Sequence, residues 1–373
     1  MKCLRCLNSD RDYFYTRDSI VYCRKCIAYG RMIEVQETKE TFIYENKVTY
    51  HLEYTLTKQQ KEISRTLLER YQQKKNTKLK AVCGAGKTEI LYDVLTYALN
   101  QGKRVCLTIP RRELVKELTQ RITSQFQNLN YSVVYGGQVN DLDGQLVICT
   151  CHQLFRYPQA FALLILDEED AFPFKNNEVL QNIVAQSCNG QYIYMSATLD
   201  SSEANISLHT RYHGHRLPMP KCYISGHWLS ILCMIKKLYR YKKQNKPVLI
   251  YVPAIKNTYE IHKLLSYLKI RCNIAHSKCT DMQESILQLK QRQLDCIITT
   301  TILERGITIE NIQVIILGGQ HRIYDSQTLL QICGRVGRKV NYPTGDITIY
   351  TVYKTKAIRE CIRTLKEDNA YCV

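Results

Sequence analysis

The sequence has little acid for its base, and no long apolar run. Asp and Glu total 34 against 52 Lys and Arg, a formal charge of +18 at pH 7. This balance favours a polyanionic partner, either nucleic acid or an anionic membrane face, although a merely soluble basic protein would share it. No stretch approaches the ~18 apolar residues of a membrane-crossing helix. The opening residues MKCLRCLNSD hold no apolar signal core, and Cys372 stands penultimate, outside a prenylation box. The expected location is therefore the cytoplasm. Tandem repeats and low-complexity tracts are also missing, which leaves ordinary globular domains.

Cysteine, in contrast, is plentiful: the chain has 17. In a reducing compartment patterned cysteines signify metal, and scattered ones are small core residues. Only Cys3, Cys6, Cys23 and Cys26 are patterned, as C-x2-C, sixteen residues, C-x2-C. Each close pair suits a tight turn that aims two thiolates at one ion, and two turns complete a tetrahedron, so Zn2+ is expected. A redox pair is disfavoured because no βαβ pattern surrounds these cysteines. Arg5, Arg24 and Lys25 ride on the two turns. The module can therefore touch nucleic acid, clip the fold or dock a protein, and the sequence leaves all three open.

With 373 residues, 45% of them hydrophobic, the chain has room for two or three domains. Residues 30–50 read as a polar connector with strand-like alternation, and residues 57–74 as a helix. Short apolar runs then alternate with helical stretches, first at 79–83, 105–109, 132–134, 146–149, 162–166 and 192–195. A second series follows at 248–252, 272–275, 296–299, 314–317 and 347–352. Brief buried strands alternating with helices imply parallel α/β sheets. The polar segment 201–220, with two prolines, marks the boundary. The expected domains are a zinc module and connector at 1–50, a first lobe at 51–205 and a second at 206–373. The basic amphipathic stretch 227–243, with Leu229, Leu232, Ile235 and Leu238 on one face, is expected to pack on the second sheet; a membrane-surface role is the alternative.

The chemistry begins at residues 81–88, AVCGAGKT, a phosphate loop between strand and helix. Gly84, Ala85 and Gly86 let backbone N–H groups close on phosphate oxygens, Lys87 reaches the β- and γ-phosphates, and Thr88 binds Mg2+. Glu89 completes GAGKTE, and Ala81 stands where the usual pattern has its first glycine. Further on, LLILDEEDAFPF runs a buried strand into Asp167 and Glu168 at the C-terminal edge of the sheet, where α/β ligands sit. Asp167 is assigned to the metal, Glu168 to the base that deprotonates the attacking water, and Asp170 to a relay toward later motifs.

The remaining motifs arrive in a definite order. Leu56-Thr57-Lys58-Gln59-Gln60 places Gln60 to read an adenine edge. Arg111 and Arg112 follow the second strand, and Thr150-Cys151-His152-Gln153-Leu154 resembles a turn that touches a nucleic-acid backbone. Ser196-Ala197-Thr198 resembles motif III, which couples hydrolysis to lobe movement. Thr300 through Arg305 and Gly306 resembles motif V. Gln331-Ile332-Cys333-Gly334-Arg335-Val336-Gly337-Arg338 is motif VI, with Arg335 and Arg338 as the finger for charge developing on the γ-phosphate. Gly306 and Gln331 join the nucleotide set, and Arg111, Arg112, Thr150, His152, Thr300 and Arg305 the nucleic-acid set.

This order resembles a superfamily-2 helicase core: α/β, two RecA-like parallel-sheet lobes in tandem behind a small four-cysteine zinc module. The leading cysteines, GAGKTE, DEEDAFPF, SATL, T-x-L-E-R-G and QICGRVGR together resemble the ComFA late-competence family of Gram-positive bacteria, over nearly the whole chain. The resemblance implies an ATP- and Mg2+-dependent motor that draws single-stranded DNA into the cytoplasm, working peripherally at the inner face of the cell membrane. It also implies an inner-membrane DNA channel, soluble late-competence partners and self-assembly into a homo-oligomer. The span between motifs V and VI has room for one strand and a short turn, not for a duplex-splitting hairpin, so strand translocation is expected over strong unwinding. The competing readings are a replication-restart or other DNA helicase, and a zinc-dependent nucleic-acid scaffold with weak ATPase activity.

Overall fold

Short Val-, Ile- and Leu-rich runs become strands covered on both faces, as the alternation with helices requires. The computed structural model describes residues 2–3, 5–17, 20–29, 47–139, 141–199, 202–279, 281–304 and 308–372. Most of the 30–50 connector lies outside them. The chain packs as two units, Met1–Ala81 with Gly86–Leu208, and Val82–Ala85 with His209–Val373.

The first unit opens with an antiparallel hairpin, β1 (Phe14–Arg17) and β2 (Ile20–Cys23), followed by β3 (Thr49–Tyr50). Then come α1 (Lys58–Gln72), β4 (Thr77–Ala81), α2 (Tyr92–Asn100), β5 (Val105–Ile109) and α3 (Arg112–Gln125). After β6 (Phe126–Gln127), which pairs with β3, follow β7 (Tyr131–Val134), β8 (Leu146–Thr150) and β9 (Phe161–Asp167). The unit ends with α4 (Glu178–Ser187), β10 (Cys188–Ser196) and β11 (Ile206–Leu208). Its main sheet runs β11-β4-β10-β9-β5-β8-β7, every neighbour parallel. α1 starts on a capping box, in which Thr57 Oγ1 accepts from Gln60 N and Gln60 Oε1 accepts from Thr57 N. The scattered Cys106, Cys149 and Cys151 sit in the core with Phe161, Leu164 and Ile183, as small apolar residues.

The second unit holds β12 (Pro220–Ile224), α5 (His227–Lys243), β13 (Val248–Tyr251), α6 (Ile255–Tyr267) and β14 (Cys272–Ala275). It continues through α7 (Met282–Lys290), β15 (Cys296–Thr299), β16 (Gln313–Ile316), α8 (Ser326–Cys333), β17 (Ile347–Thr351) and α9 (Lys356–Ala370). Its sheet, β12-β17-β16-β13-β15-β14, is also wholly parallel. Two parallel sheets in tandem behind a four-cysteine cluster are the RecA-like pair that the alternating pattern predicts. No helix among the described residues is long and apolar enough to cross a membrane.

Three departures from the sequence reading have local causes. Segment 201–220, read as polar boundary, contributes β11, and β12 begins at its final residue. β11 is only three residues long, and β12 starts on a proline, which an edge strand tolerates. The first strand of the core begins at Thr77 and leaves the sheet after Ala81, because the loop that follows turns at Gly84 with φ +82°. α5 packs through Ile231, Met234, Leu238 and Tyr241, whereas Leu229 and Leu232 are 56% and 63% exposed. The helix carries two apolar stripes, and the expected face mixed them.

Candidate functional site

Parallel strands deliver their loops to one edge. β4 leads into the phosphate loop, β9 ends at Asp167, β10 ends at Ser196, and β5 and β8 lead to Arg111 and Thr150. In the sheet β10 lies between β4 and β9, so Ser196 emerges between the phosphate loop and the acidic turn. Lys87 Nζ is 3.8 Å from Asp167 Oδ1, with both side chains mostly buried. Asp167 Oδ1 also accepts from the Glu168 N–H at 2.9 Å. Glu168 turns the chain at φ +60°, left-handed backbone that a non-glycine residue adopts at a cost and that clusters at functional sites.

Gly86 has φ +80°, and a Cβ there would lie 2.4 Å from Gln60 Nε2. The left-handed φ calls for glycine here, and the flexible end of Gln60 lies beside the phosphate loop. Its Oε1 belongs to the α1 capping box, so the residue expected to read adenine also caps its own helix. Thr88 Oγ1 accepts from Arg121 at 3.3 Å, and Tyr54 O–H donates to Glu89 Oε1 at 3.0 Å. The other oxygen of Glu89 is buried with no hydrogen-bond partner among the described residues, which leaves acceptor capacity beside the loop.

The acidic turn is tied to the next strand. Asp170 accepts from Ser196 Oγ at 2.8 Å and from Thr198 Oγ1 at 3.0 Å, and Ser196 Oγ accepts from Thr198 N at 2.9 Å. A carboxylate that both hydroxyls hold thus ties the turn to residues 196–198. Burial pushes the carboxyl of Glu169, between the two acids, upward.

In the second unit Gln331 lies on α8, and Arg335 and Arg338 follow it; Gln331 and Arg335 are buried. Arg338 Nε donates to Gly334 O at 2.9 Å. Gly337 has φ +71°, and a Cβ there would meet Pro343 O at 2.4 Å. Sequence reasoning missed the segment that grips this loop. Arg211 is 2% exposed and donates to the carbonyls of Val336 at 2.6 Å, of Gly334 at 3.1 Å and of Gly337. Tyr212 O–H donates to Arg338 O at 2.9 Å, and His213 Nε2 lies 3.0 Å from Gly337 O. Burial, with the Arg338 charge nearby, pulls the Arg211 guanidinium down to about 10. Arg211 lies in the polar boundary segment, where neither periodicity nor motif marks it.

The nucleic-acid candidates are dispersed. Arg111 caps α3; Arg112 is exposed, with its guanidinium over the Tyr135 ring at 6.0 Å. Thr300 follows β15 and is half-buried. Thr150 is buried at the end of β8, and the His152 ring stacks on Tyr29 with centroids 6.1 Å apart. Burial holds the imidazole of His152 below its ordinary value. Arg305 and Gly306 lie outside the described residues.

The sulfurs of Cys3, Cys6, Cys23 and Cys26 all lie within 4.8 Å of one another. Cys3 and Cys26 are 3.7 Å apart, and Cys6 and Cys23 3.6 Å. Tetrahedral zinc with bonds of about 2.3 Å separates its sulfurs by about 3.8 Å, so the cluster fits that ion. Burial pushes the Cys6 thiol up to about 11 and that of Cys26 further. The module is fastened to its own unit. Asn182 Nδ2 donates to Cys6 O at 2.8 Å, and Lys25 pairs with Glu178 at 3.0 Å. The Arg5 guanidinium covers the Phe155 ring at 5.4 Å, and Arg24 covers Tyr15 at 4.8 Å. These cations, open to nucleic acid from the sequence, are at least partly engaged within the unit.

Residues 57–206 match the family model of the DEAD/DEAH box helicase, and residues 230–340 that of the helicase conserved C-terminal domain. The competence protein ComFA of Bacillus subtilis strain 168 is 34% identical, over 99% of this chain and 85% of the relative. The competence protein ComFA of Streptococcus pneumoniae strain ATCC BAA-255 / R6 is 32% identical, over 98% of this chain and 90% of the relative. Among solved structures, the Mycobacterium smegmatis helicase Lhr bound to ssDNA and AMP-PNP matches with a TM-score of 0.59 at 14% identity, over 84% of this chain and 50% of that one. S. cerevisiae Dbp5 bound to RNA and ADP BeF3 matches with a TM-score of 0.56 at 16% identity, over 84% of this chain and 91% of that one. At such identities these structural likenesses concern the fold alone.

Proposed function

The chain belongs to the ComFA family of competence proteins and is a helicase-type, nucleic-acid-dependent ATPase, and on that premise we propose that it moves along single-stranded DNA and powers uptake of transforming DNA into the bacterial cytoplasm. The observation that carries the motor reading is the Lys87–Asp167 pair, with Asp170 tied to Ser196 and Thr198.

Lys87 holds the β- and γ-phosphate oxygens of ATP, with the N–H groups of Gly84, Ala85 and Gly86 around them. Thr88 and Asp167 hold the magnesium ion. Magnesium, when bound, offsets negative charge on the phosphate oxygens. Glu168 orients the attacking water and takes its proton. Arg335 and Arg338, positioned by the 211–213 segment, meet the charge that develops on the transferred phosphoryl group. Gln60 and Glu89 flank the loop, and Gly306 and Gln331 complete the nucleotide set. Asp170 relays movement of the acidic turn to Ser196 and Thr198. Arg111, Arg112, Thr150, His152, Thr300 and Arg305 contact the strand, the buried Thr150 through its backbone. Zinc is held by Cys3, Cys6, Cys23 and Cys26, and its role is structural, since the module is fastened to α4. The proposed partners are an inner-membrane channel, soluble competence proteins and further copies of the chain.

The test is steady-state ATPase activity of the zinc-loaded protein with no nucleic acid, single-stranded DNA, duplex DNA or RNA. Stimulation by single-stranded DNA above the others is expected. Equal stimulation by duplex, or preference for RNA, gives the function to a different helicase reading. Lys87→Ala is expected to abolish stimulated hydrolysis and to retain DNA binding.

A further inference from the structure

The second apolar stripe of α5 has no place in the motor. Trp228, Leu229 and Leu232 are 80%, 56% and 63% exposed, and Ile224 at the end of β12 is 66% exposed. Contiguous apolar surface of this kind on a soluble fold marks an interaction site. β12 is the outermost strand of its sheet, paired with β17 alone among the described residues, so its other edge offers backbone N–H and C=O groups.

Between α5 and this strand runs a groove of about 640 Å³, lined by Tyr223, Leu229 and Tyr350 together with Lys236, Lys237, Arg240 and Lys243. None of its lining residues is acidic. Arg240 is partly neutralised by Asp346 at 3.2 Å, and Lys237 donates to Thr348 Oγ1 and lies over the Tyr223 ring. Lys236 and Lys243 are exposed, without a carboxylate partner among the described residues. On the strand itself Lys221 is exposed, a charge that repels a basic strand, resists desolvation by an apolar one and attracts an acidic one.

We propose that this groove docks an extended acidic segment of a partner protein, which adds as a strand to the outer edge of β12. Its alternate apolar side chains lie against Leu229 and Tyr223, and its carboxylates meet Lys236 and Lys243. The concavity and the free edge favour an extended peptide over a flat bilayer, and the charge favours an acidic one. The inference is independent of the nucleotide site.

The test uses the full chain and a fluorescein-labelled peptide alternating Glu with Val or Leu, read by anisotropy. Saturable micromolar binding is expected, weakened roughly tenfold or more by Lys236→Glu with Lys243→Glu. Hydrogen exchange at residues 221–224 is expected to slow in the complex, and proline at alternate peptide positions is expected to abolish binding. The double variant keeps its nucleic-acid-stimulated ATPase activity, which separates loss of docking from misfolding and from failure of the motor reading. Absent binding, equal affinity for a Lys-alternating peptide, or affinity unchanged in the double variant overturns the proposal. So does displacement of the peptide by a single-stranded oligonucleotide, which assigns the groove to nucleic acid. Phosphatidylglycerol vesicles that bind through Lys236 and Lys243 while the peptide does not assign it to a membrane and likewise overturn it.

Discussion

At the scale of the residue, two side chains do unequal kinds of work. Asp170 accepts from two hydroxyls at once, so its removal frees residues 196–198 from the acidic turn while leaving the Lys87–Asp167 pair in place. Asp170→Ala is expected to lower strand-stimulated ATPase by about tenfold, equivalent to ~1.4 kcal/mol, with nucleotide affinity retained; stimulated kcat measured beside binding of a fluorescent ATP analogue checks this. Arg211 is a positioning residue. A planar fork satisfies three loop carbonyls at once, which a Lys ammonium with three rotatable donors does poorly. Arg211→Met strands buried carbonyls at ~1–3 kcal/mol each, so the protein is expected to melt several degrees lower. Arg211→Lys is expected to lower kcat and to raise the KM for ATP, because Arg211 Nε also donates to Cys83 O at 3.0 Å, so the finger loop and the phosphate loop both lose support. Thermal melts and ATP titrations of both variants distinguish stability from positioning. Asp170 was legible in the sequence because a hydrophobic strand runs into it. Arg211 was not, because its partners are backbone carbonyls distant in the chain, which leave no side-chain pattern.

At the scale of the element, the strands were legible and their ends less so. A parallel strand buried on both faces is a bare apolar run, and β5, β8, β13 and β16 are buried along their whole length. β11 and β12 escaped notice because an edge strand needs no such run. α5 was located from its pattern, but its expected face mixed two stripes, since both contain leucine: Leu238 and Ile235 pack on the core while Leu229 and Leu232 do not. The four-cysteine cluster was legible from spacing alone, but its docking was not, because the contact to α4 depends on Asn182 and Glu178, which are ordinary surface residues in sequence. The Lys25–Glu178 pair is open to solvent and contributes little, so the metal cluster itself governs the module. Cys23→Ser is expected to bring bound zinc below one equivalent and to lower the melting temperature. Asn182→Ala is expected to keep zinc while exposing the module to protease. Metal content by atomic absorption and limited proteolysis separate the two; unchanged metal in the cysteine variant removes the zinc assignment.

At the scale of the whole molecule, charge and connectivity decide how the motor engages its track. A formal charge of +18 favours contacts with phosphates, and each phosphate neutralised on a single strand contributes a log–log salt slope of about −0.7. Binding that ignores salt would place the excess charge away from the strand. Splitting a duplex demands something more, a rigid element that holds the two strands apart while one is pulled. Among the described residues, the span from 308 to Gln331 contains β16, a turn, and the start of α8. That span leaves no chain for a projecting hairpin, and the zinc module is fastened to α4. The protein is therefore expected to hydrolyse ATP rapidly on single strands and to displace streptavidin from a biotinylated single strand, while leaving a long blunt duplex paired. Displacement and unwinding assays under one set of salt and ATP conditions make the comparison. Efficient opening of the blunt duplex would require a wedge formed elsewhere in the chain or by a second copy, and a dependence of the unwinding rate on protein concentration would tell these apart.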